Sequence, residues 1–309
     1  MSSSRPPNPD DRLPDATTQA AVDQHLHRLT LEQIGYEAAD IEAIRDAIHA
    51  PDGLVLVVGP AGSGRRTALY SMLEQLDPVQ RRIQTIESDV LRPVPRWTQS
   101  RLPDQPHRRD GRRWERAIGR ALRSGADAIL VEKIETAGVA RLALQAARAG
   151  HLVLSMMALG RACSVVAEFQ RLHVPLAQLL DALSLVIGHR LVARLCPQCS
   201  TPDDRESVRR ALAGALNTWL AGSAVCARRA VPGGCRRCGT TGYDGRVLVY
   251  ELLDIDTRAR GLIASGVDPV EFEPSLLANG RSLWDRGLKL VTDGTTSLDA
   301  LQAAVRRPR

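Results

Sequence analysis

Apolar and polar positions along this chain fall into blocks of changing period. Leu54-Val55-Leu56-Val57-Val58 is a continuous apolar run. A strand covered on both faces of a parallel sheet needs such a run, because neither side meets water. Shorter runs recur at 83–87, 128–131 and 152–155. Between them apolar residues recur at helical spacing, which predicts helices over 67–76, 113–124 and 137–149. Ile34, Ile41, Ile44 and Ile48 repeat the helical period ahead of the first strand, with Gly35 dividing the stretch into two short helices. Strands alternating with helices predict βαβ units, right-handed crossovers and a mostly parallel α/β sheet. Residues 90–111 are rich in Pro and Arg and read as irregular, and residues 162–195 read as helices. Residues 196–250 break the rhythm and carry most of the cysteines; from residue 257 the pattern is helical again. Residues 1–22 are rich in Ser, Pro, Asp and Thr without periodicity, as in a disordered tail. The expected divisions are a tail over 1–27, a core over 28–195, a four-cysteine segment over 196–250 and a helical part over 251–309.

Composition adds a few bounds. Hydrophobic residues make up 44% of the 309, enough for a core, while aromatics are only 3%. That core must therefore be built from Leu, Val, Ile and Ala. No run reaches the ~18 apolar residues that span a bilayer, and no signal pattern opens the chain. The expectation is an intracellular, cytoplasmic protein with reduced thiols. The net charge of +6 comes almost wholly from Arg, since Lys occurs only at Lys133 and Lys289. Such a balance permits contact with anionic partners. Nucleic acid is the less favoured of them, because few aromatics interleave with the scattered arginines for base stacking.

The chemistry-bearing motif follows the first predicted strand. Residues 59–67 read GPAGSGRRT. Gly59 and Gly64 stand at the glycine positions of a phosphate-binding loop, whose next residues are ordinarily Lys, reaching the β/γ-phosphates, and a Ser or Thr on Mg²⁺. Here those residues are Arg65 and Arg66, followed by Thr67. Strand, glycine loop and helix supply the context the motif requires. The N–H groups of Gly62, Ser63 and Gly64 would make an anion nest at a helix start. Arg65 can grip a phosphate bidentately, with a bulkier head than an ammonium. Arg66 cannot ligate Mg²⁺. Two readings stand. In one the loop binds ATP or ADP weakly; in the other it is empty, with both arginines facing solvent or paired with Glu87 or Glu132.

Cys196-Pro-Gln-Cys199 and Cys235-Arg-Arg-Cys238 form a Cys-x₂-Cys…Cys-x₂-Cys arrangement. Four thiolates close the shell of a structural Zn²⁺, and a reducing compartment favours metal over disulfides. The alternative is four unrelated thiols. Cys163 and Cys226 lack partners at ligand spacing and read as small buried hydrophobes. His151 reads as a structural histidine at a strand entrance, and the arginines of 108–116 as a solvated face or a subunit contact.

At this point the chain resembles the secretion ATPases of type II secretion and type IV pilus assembly (GspE/PilB-type). The ordered segments that carry the likeness are GLVLVVGPAGSG (53–64), IQTIES (83–88), ADAILV (126–131), LALQAARAGHLVLS (142–155), GHRLVARLCPQC (188–199) and CRRCGTTGYDGRVLVYELL (235–253). The resemblance implies a RecA-like P-loop NTPase core, a four-cysteine zinc subdomain and a helical C-terminal tail. It also implies hexameric rings on the cytoplasmic side of the inner membrane, bound to a membrane platform protein.

The departures fall on the family's chemistry. Lys133 stands where the Walker B Glu is expected, with Glu132 one residue early and expected to point elsewhere. Ala158 stands in place of the His-box His. Glu87 is kept within an otherwise altered Asp box, where Ser88 replaces the Asp and Leu91 the second Glu. The family's N-terminal subdomain, which closes over the nucleotide, is expected to be missing. The implied function is a catalytically impaired structural or regulatory subunit that acts beside a full-length paralogue or on the platform, with Mg²⁺ poorly served. An active motor with rearranged groups and a stand-alone module for another anionic ligand are the alternatives.

Overall fold

The computed structural model describes residues 29–103, 111–266, 277 and 281–305; the expected tail lies outside them. Two short helices, α1 (Leu31–Ile34) and α2 (Ala38–His49), lead into β1 (Gly53–Val58) and α3 (Arg65–Leu73). Thr30 caps α1 in a reciprocal capping box with Gln33, and Gly35 ends it in the left-handed conformation. Next come β2 (Ile83–Glu87), β3 (Thr98–Arg101), α4 (Gly111–Arg123), β4 (Ala128–Lys133), α5 (Ala137–Arg148) and β5 (Leu152–Met157). The chain continues through α6 (Ser164–Arg171), α7 (Leu176–Ala182) and β6 (Leu183–Leu195). Beyond β6 lie β7 (Thr201–Pro202), α8 (Glu206–Leu216), β8 (Arg228–Arg229), β9 (Tyr243–Asp254), α9 (Thr257–Ala264), α10 (Leu283–Thr292) and α11 (Leu298–Ala304).

Seven strands form one sheet in the order β3-β2-β4-β5-β1-β6-β9. Every neighbouring pair is parallel except β6 and β9, which run antiparallel. The pleat sends alternate residues to opposite faces. Leu54, Leu56 and Val58 pack with α4, α5, α6 and α7 on one face. Val55 and Val57 pack with α1, α2 and α3 on the other. A third core gathers α8, α10 and α11 around Val192 of β6 and Val249 of β9. The N-terminal helices are also tied to the C-terminal part by a buried polar cluster. Tyr250 donates to Asp40 (2.5 Å) and accepts from Arg286 (2.8 Å), which pairs with Asp40 at 2.7 Å.

Two expectations are corrected. Residues 183–195 lie in a strand, although 162–195 read as helices. LSLVIGHRLVARL satisfies either period locally, and the choice falls to pairing with β1 on one side and β9 on the other. Leu185 and Ile187 then face one core while Leu183 and Val186 face the other. The stretch 90–111, read as irregular, contains β3. Its sequence, TQSR, is short, polar and partly exposed, as suits a sheet edge.

Candidate nucleotide site and cysteine centre

The glycine loop occupies the C-terminal edge of the parallel strands. The Gly59 N–H donates to the Met157 carbonyl at the end of β5 (3.2 Å). A β-carbon on Gly59 would lie 2.5 Å from Ser63 Oγ and 2.6 Å from the His189 carbonyl, so close backbone approach excludes any side chain there. Gly64 has a different reason. Its φ is +84°, in the left-handed region that favours glycine, and open space surrounds it. It caps α3, whose first residues are Arg65, Arg66 and Thr67. That first turn contains no acidic residue, and no side chain caps it. Two cations therefore sit at the end of the helix where the backbone dipole is already positive.

Arg66 is neutralised within the protein: its Nη2 donates to Glu132 Oε1. Glu132 Oε2 also accepts the Ser88 N–H, and only 5% of the residue is exposed. The expectation that Glu132 points elsewhere is corrected here. It lies in the same pleat register as Leu130, which packs on the α3 face of the sheet. The β4–β5 register then shifts between Val131 and Lys133, which leaves Glu132 at the irregularity. Of the two stated readings, pairing with Glu132 holds for Arg66. Arg65 forms no ion pair among the described residues. Burial, opposed by Glu132 and reinforced by Arg190 and Arg66, lowers its pKa below the ordinary guanidinium value.

The other degenerate positions have other occupations. Glu87 is buried and accepts from Tyr70 Oη at 2.8 Å and 2.9 Å and from Thr85 Oγ1 at 2.6 Å. Burial outweighs those donors and raises its pKa. Lys133 lies on the opposite face from Glu132, its Nζ 5.7 Å from the Trp114 ring centre and 4.0 Å from Glu135. Ala158 is exposed beyond β5. Thr67 is partly buried at the start of α3.

One residue beneath the loop belongs to no recognisable sequence motif of its own. His189 of β6 is fully buried, with Nε2 2.5 Å from Tyr36 Oη and Nδ1 unpartnered. Burial pulls its pKa down to about 3. Ser63 Oγ, also buried, has no partner either. The only sequence signal for His189 was its place in the segment GHRLVARLCPQC. Next to it, Arg190 donates to the Gly160 carbonyl at 2.6 Å, tying β6 to the loop after β5.

The four paired cysteines converge as expected. Their sulfurs lie within 4.8 Å of one another. Cys196–Cys235 is 3.7 Å, and both Cys199–Cys238 and Cys235–Cys238 are 3.8 Å. A tetrahedron with Zn–S bonds of about 2.3 Å has edges of about 3.8 Å. The set thus fits one tetrahedral ion. The N–H groups of Cys235 and Gly242 each donate to Cys238 Sγ at 3.2 Å, which draws its pKa down to about 6. Burial and the neighbouring thiols push Cys199 up to about 12.

Cys163 is buried, as expected, but Cys226 is exposed. The Cys226 N–H is held by the Thr292 carbonyl (2.8 Å), and its side chain faces outward. The His151 ring contacts the Ala126 carbonyl (2.7 Å) at the entrance of β5, a structural role. Of the arginine run, Arg108 and Arg109 fall outside the described residues, while Arg112 and Arg116 are exposed on α4.

Comparison with known proteins places this geometry. A family profile described as "Type II/IV secretion system protein" matches residues 16–303. The chain is 31% identical over 280 residues to the "Putative type II secretion system protein E" of Escherichia coli K12, covering 90% of this chain and 54% of that protein. It is 32% identical over 287 residues to the "Type II secretion system protein E" of Dickeya dadantii, covering 92% and 53%. The "Type IV pilus assembly ATPase PilB" of Thermus thermophilus is 30% identical over 277 residues, or 88% and 30%. The chain spans about half the length of the type II relatives it matches. Among solved structures, the pilus retraction motor PilT with bound ADP aligns with a TM-score of 0.64 at 20% identity, covering 91% of this chain and 68% of that one. The Legionella pneumophila ATPase DotB aligns at 0.60 and 18%, covering 89% and 65%. These two likenesses establish the RecA-like fold. Among the described residues, no helix is long and apolar enough to cross a membrane.

Proposed function

The chain belongs to the Type II/IV secretion system protein family, the GspE/PilB-like secretion and pilus ATPases, and we propose that it serves there as a catalytically impaired subunit. It retains a phosphate-binding loop and acts structurally or in regulation. Its partners are a full-length paralogue of the motor or the inner-membrane platform, on the cytoplasmic side. The observation that carries this reading is the fate of the carboxylates around the loop. Phosphoryl transfer needs Mg²⁺ on the β/γ-phosphates and a group that orients the nucleophile. Glu132 is engaged by Arg66 and Ser88, and Glu87 by Tyr70 and Thr85. Lys133 leans on Trp114 and Ala158 carries no functional group. Losing even one such contribution typically costs 10²–10³-fold in rate. The purified protein is expected to release phosphate from Mg-ATP at the rate of a heat-killed control. Turnover comparable to an active motor, abolished by Arg65→Ala, would overturn the reading. Restoring Lys at 65 and Thr at 66 is not expected to suffice while Lys133 and Ala158 remain.

The same proposal places a structural Zn²⁺ among Cys196, Cys199, Cys235 and Cys238. With every ligand supplied by protein, the ion would have no open position and would act on folding alone.

A further inference from the structure

We infer that the glycine loop takes its nucleotide in the metal-free form, with Arg66 replacing the hydroxyl that would serve a divalent cation and engaging the carboxylate of Glu132. This rests on the reading above that the loop binds a nucleoside di- or triphosphate. It departs from the metal-dependent chemistry that the family fold implies.

The residues present do not suit Mg²⁺. That ion demands oxygen ligands in near-octahedral geometry. The second residue of α3, where a hydroxyl would serve it, is a guanidinium with donors and no acceptor. Glu132, the carboxylate that reaches this end of α3, accepts from Arg66 on one oxygen and from the Ser88 N–H on the other. Glu87 has its oxygens occupied by Tyr70 and Thr85. A cation entering here would have to break an ion pair and then sit against a displaced arginine.

The same residues suit a bare polyphosphate. Two cations open a nine-residue helix that has no acidic side chain in its first turn. Negative charge is the ordinary preference at that position. Glu132 forms its ion pair with Arg66; Arg65 has no ion pair among the described residues. An anion on the loop would supply what the helix start lacks. Arg65 can grip two oxygens at once, and Arg66 can present its remaining donors to phosphate while keeping Glu132. Buried Ser63 Oγ, unpartnered within the loop, is a second sign of an incomplete arrangement. With fixed positive charge already supplied by the protein, Mg²⁺ on the nucleotide would cancel the charge that Arg65 and Arg66 recognise.

Calorimetric titration of ADP and of ATP into the full chain, in excess EDTA and then in excess Mg²⁺, tests this. Affinity in EDTA is expected to equal or exceed that in Mg²⁺, by roughly tenfold at low ionic strength. Arg66→Thr is expected to reverse the order, because it restores a hydroxyl and frees Glu132. Binding that requires Mg²⁺, or tightens threefold or more with it, overturns the inference while leaving a nucleotide site in place. No binding heat with either nucleotide, in either buffer, overturns the inference together with the nucleotide-binding reading. Since both buffers are compared on the unmodified protein, the test stands even if the variant folds poorly.

Discussion

Arg66 at the start of α3 and Glu132 at the end of β4 form an ion pair that is two-thirds or more buried at each end, with the Ser88 N–H completing the carboxylate's partners. The pair ties the start of the loop helix to the end of β4. Removing the charge at Glu132 strands a guanidinium that burial has partly cut off from water. Glu132→Gln is expected to cost about 1–3 kcal/mol in urea unfolding. Arg66→Thr is expected to cost at least as much, since it leaves the more deeply buried Glu132 carboxylate with only its backbone donor. The double variant is expected to be less destabilised than the sum of the two. Strictly additive losses would show that the pair contributes no coupling.

The cysteine centre makes a compositional prediction. Elemental analysis of protein purified without chelator is expected to find about one zinc per chain. Cys235→Ser is expected to lower the melting temperature and to increase proteolysis within 196–250, because metal-binding energy here is also folding energy. Metal-free protein whose melting is unchanged by chelation would rule out a structural ion.

His189 predicts a pH dependence. Its imidazole titrates near 6.5 in the unfolded chain, whereas burial holds the folded value at about 3. Between those values the unfolded state binds the proton and the folded state does not, so acid favours unfolding. The contribution is intact above pH 6.5 and falls by up to about 1.4 kcal/mol for each unit below it. His189→Gln keeps an acceptor for Tyr36 and loses the titration. The gap in unfolding free energy between wild type and variant is expected to close as pH falls from 7.5 to 5.5. A constant gap across that range would mean that His189 binds its proton equally in the folded and unfolded chain, so that burial does not lower its pKa.

The residues themselves carried the βαβ rhythm. A continuous apolar run such as Leu54–Val58 leaves little choice but a strand covered on both faces, and a glycine frame such as Gly59, Gly62 and Gly64 names its own turn. The pairing of Cys196 with Cys199 and of Cys235 with Cys238 was equally local, because thiols with two residues between them can reach one ion. Their meeting was not local. β6 ends at Leu195 and pairs antiparallel with β9, where Leu195 faces Tyr243. That pairing brings the segment after one strand against the segment before the other, and so joins the two cysteine pairs.

What the chain alone determined is therefore the alternation of elements, the glycine loop with Arg65 and Arg66 behind it, and the spacing of the two cysteine pairs. Tertiary structure decided the rest. β6 became a strand because β1 and β9 offered hydrogen bonds to a sequence that fits either period. β3 formed at a sheet edge that no periodicity marks. Glu132 met Arg66 because the pleat and a register shift at Val131 aimed its carboxylate at α3. His189 stayed neutral because the sheet and Tyr36 enclosed it. Side-chain direction, burial and pairing across 66 residues of chain depend on neighbours distant in sequence, and only the packed sheet supplies them.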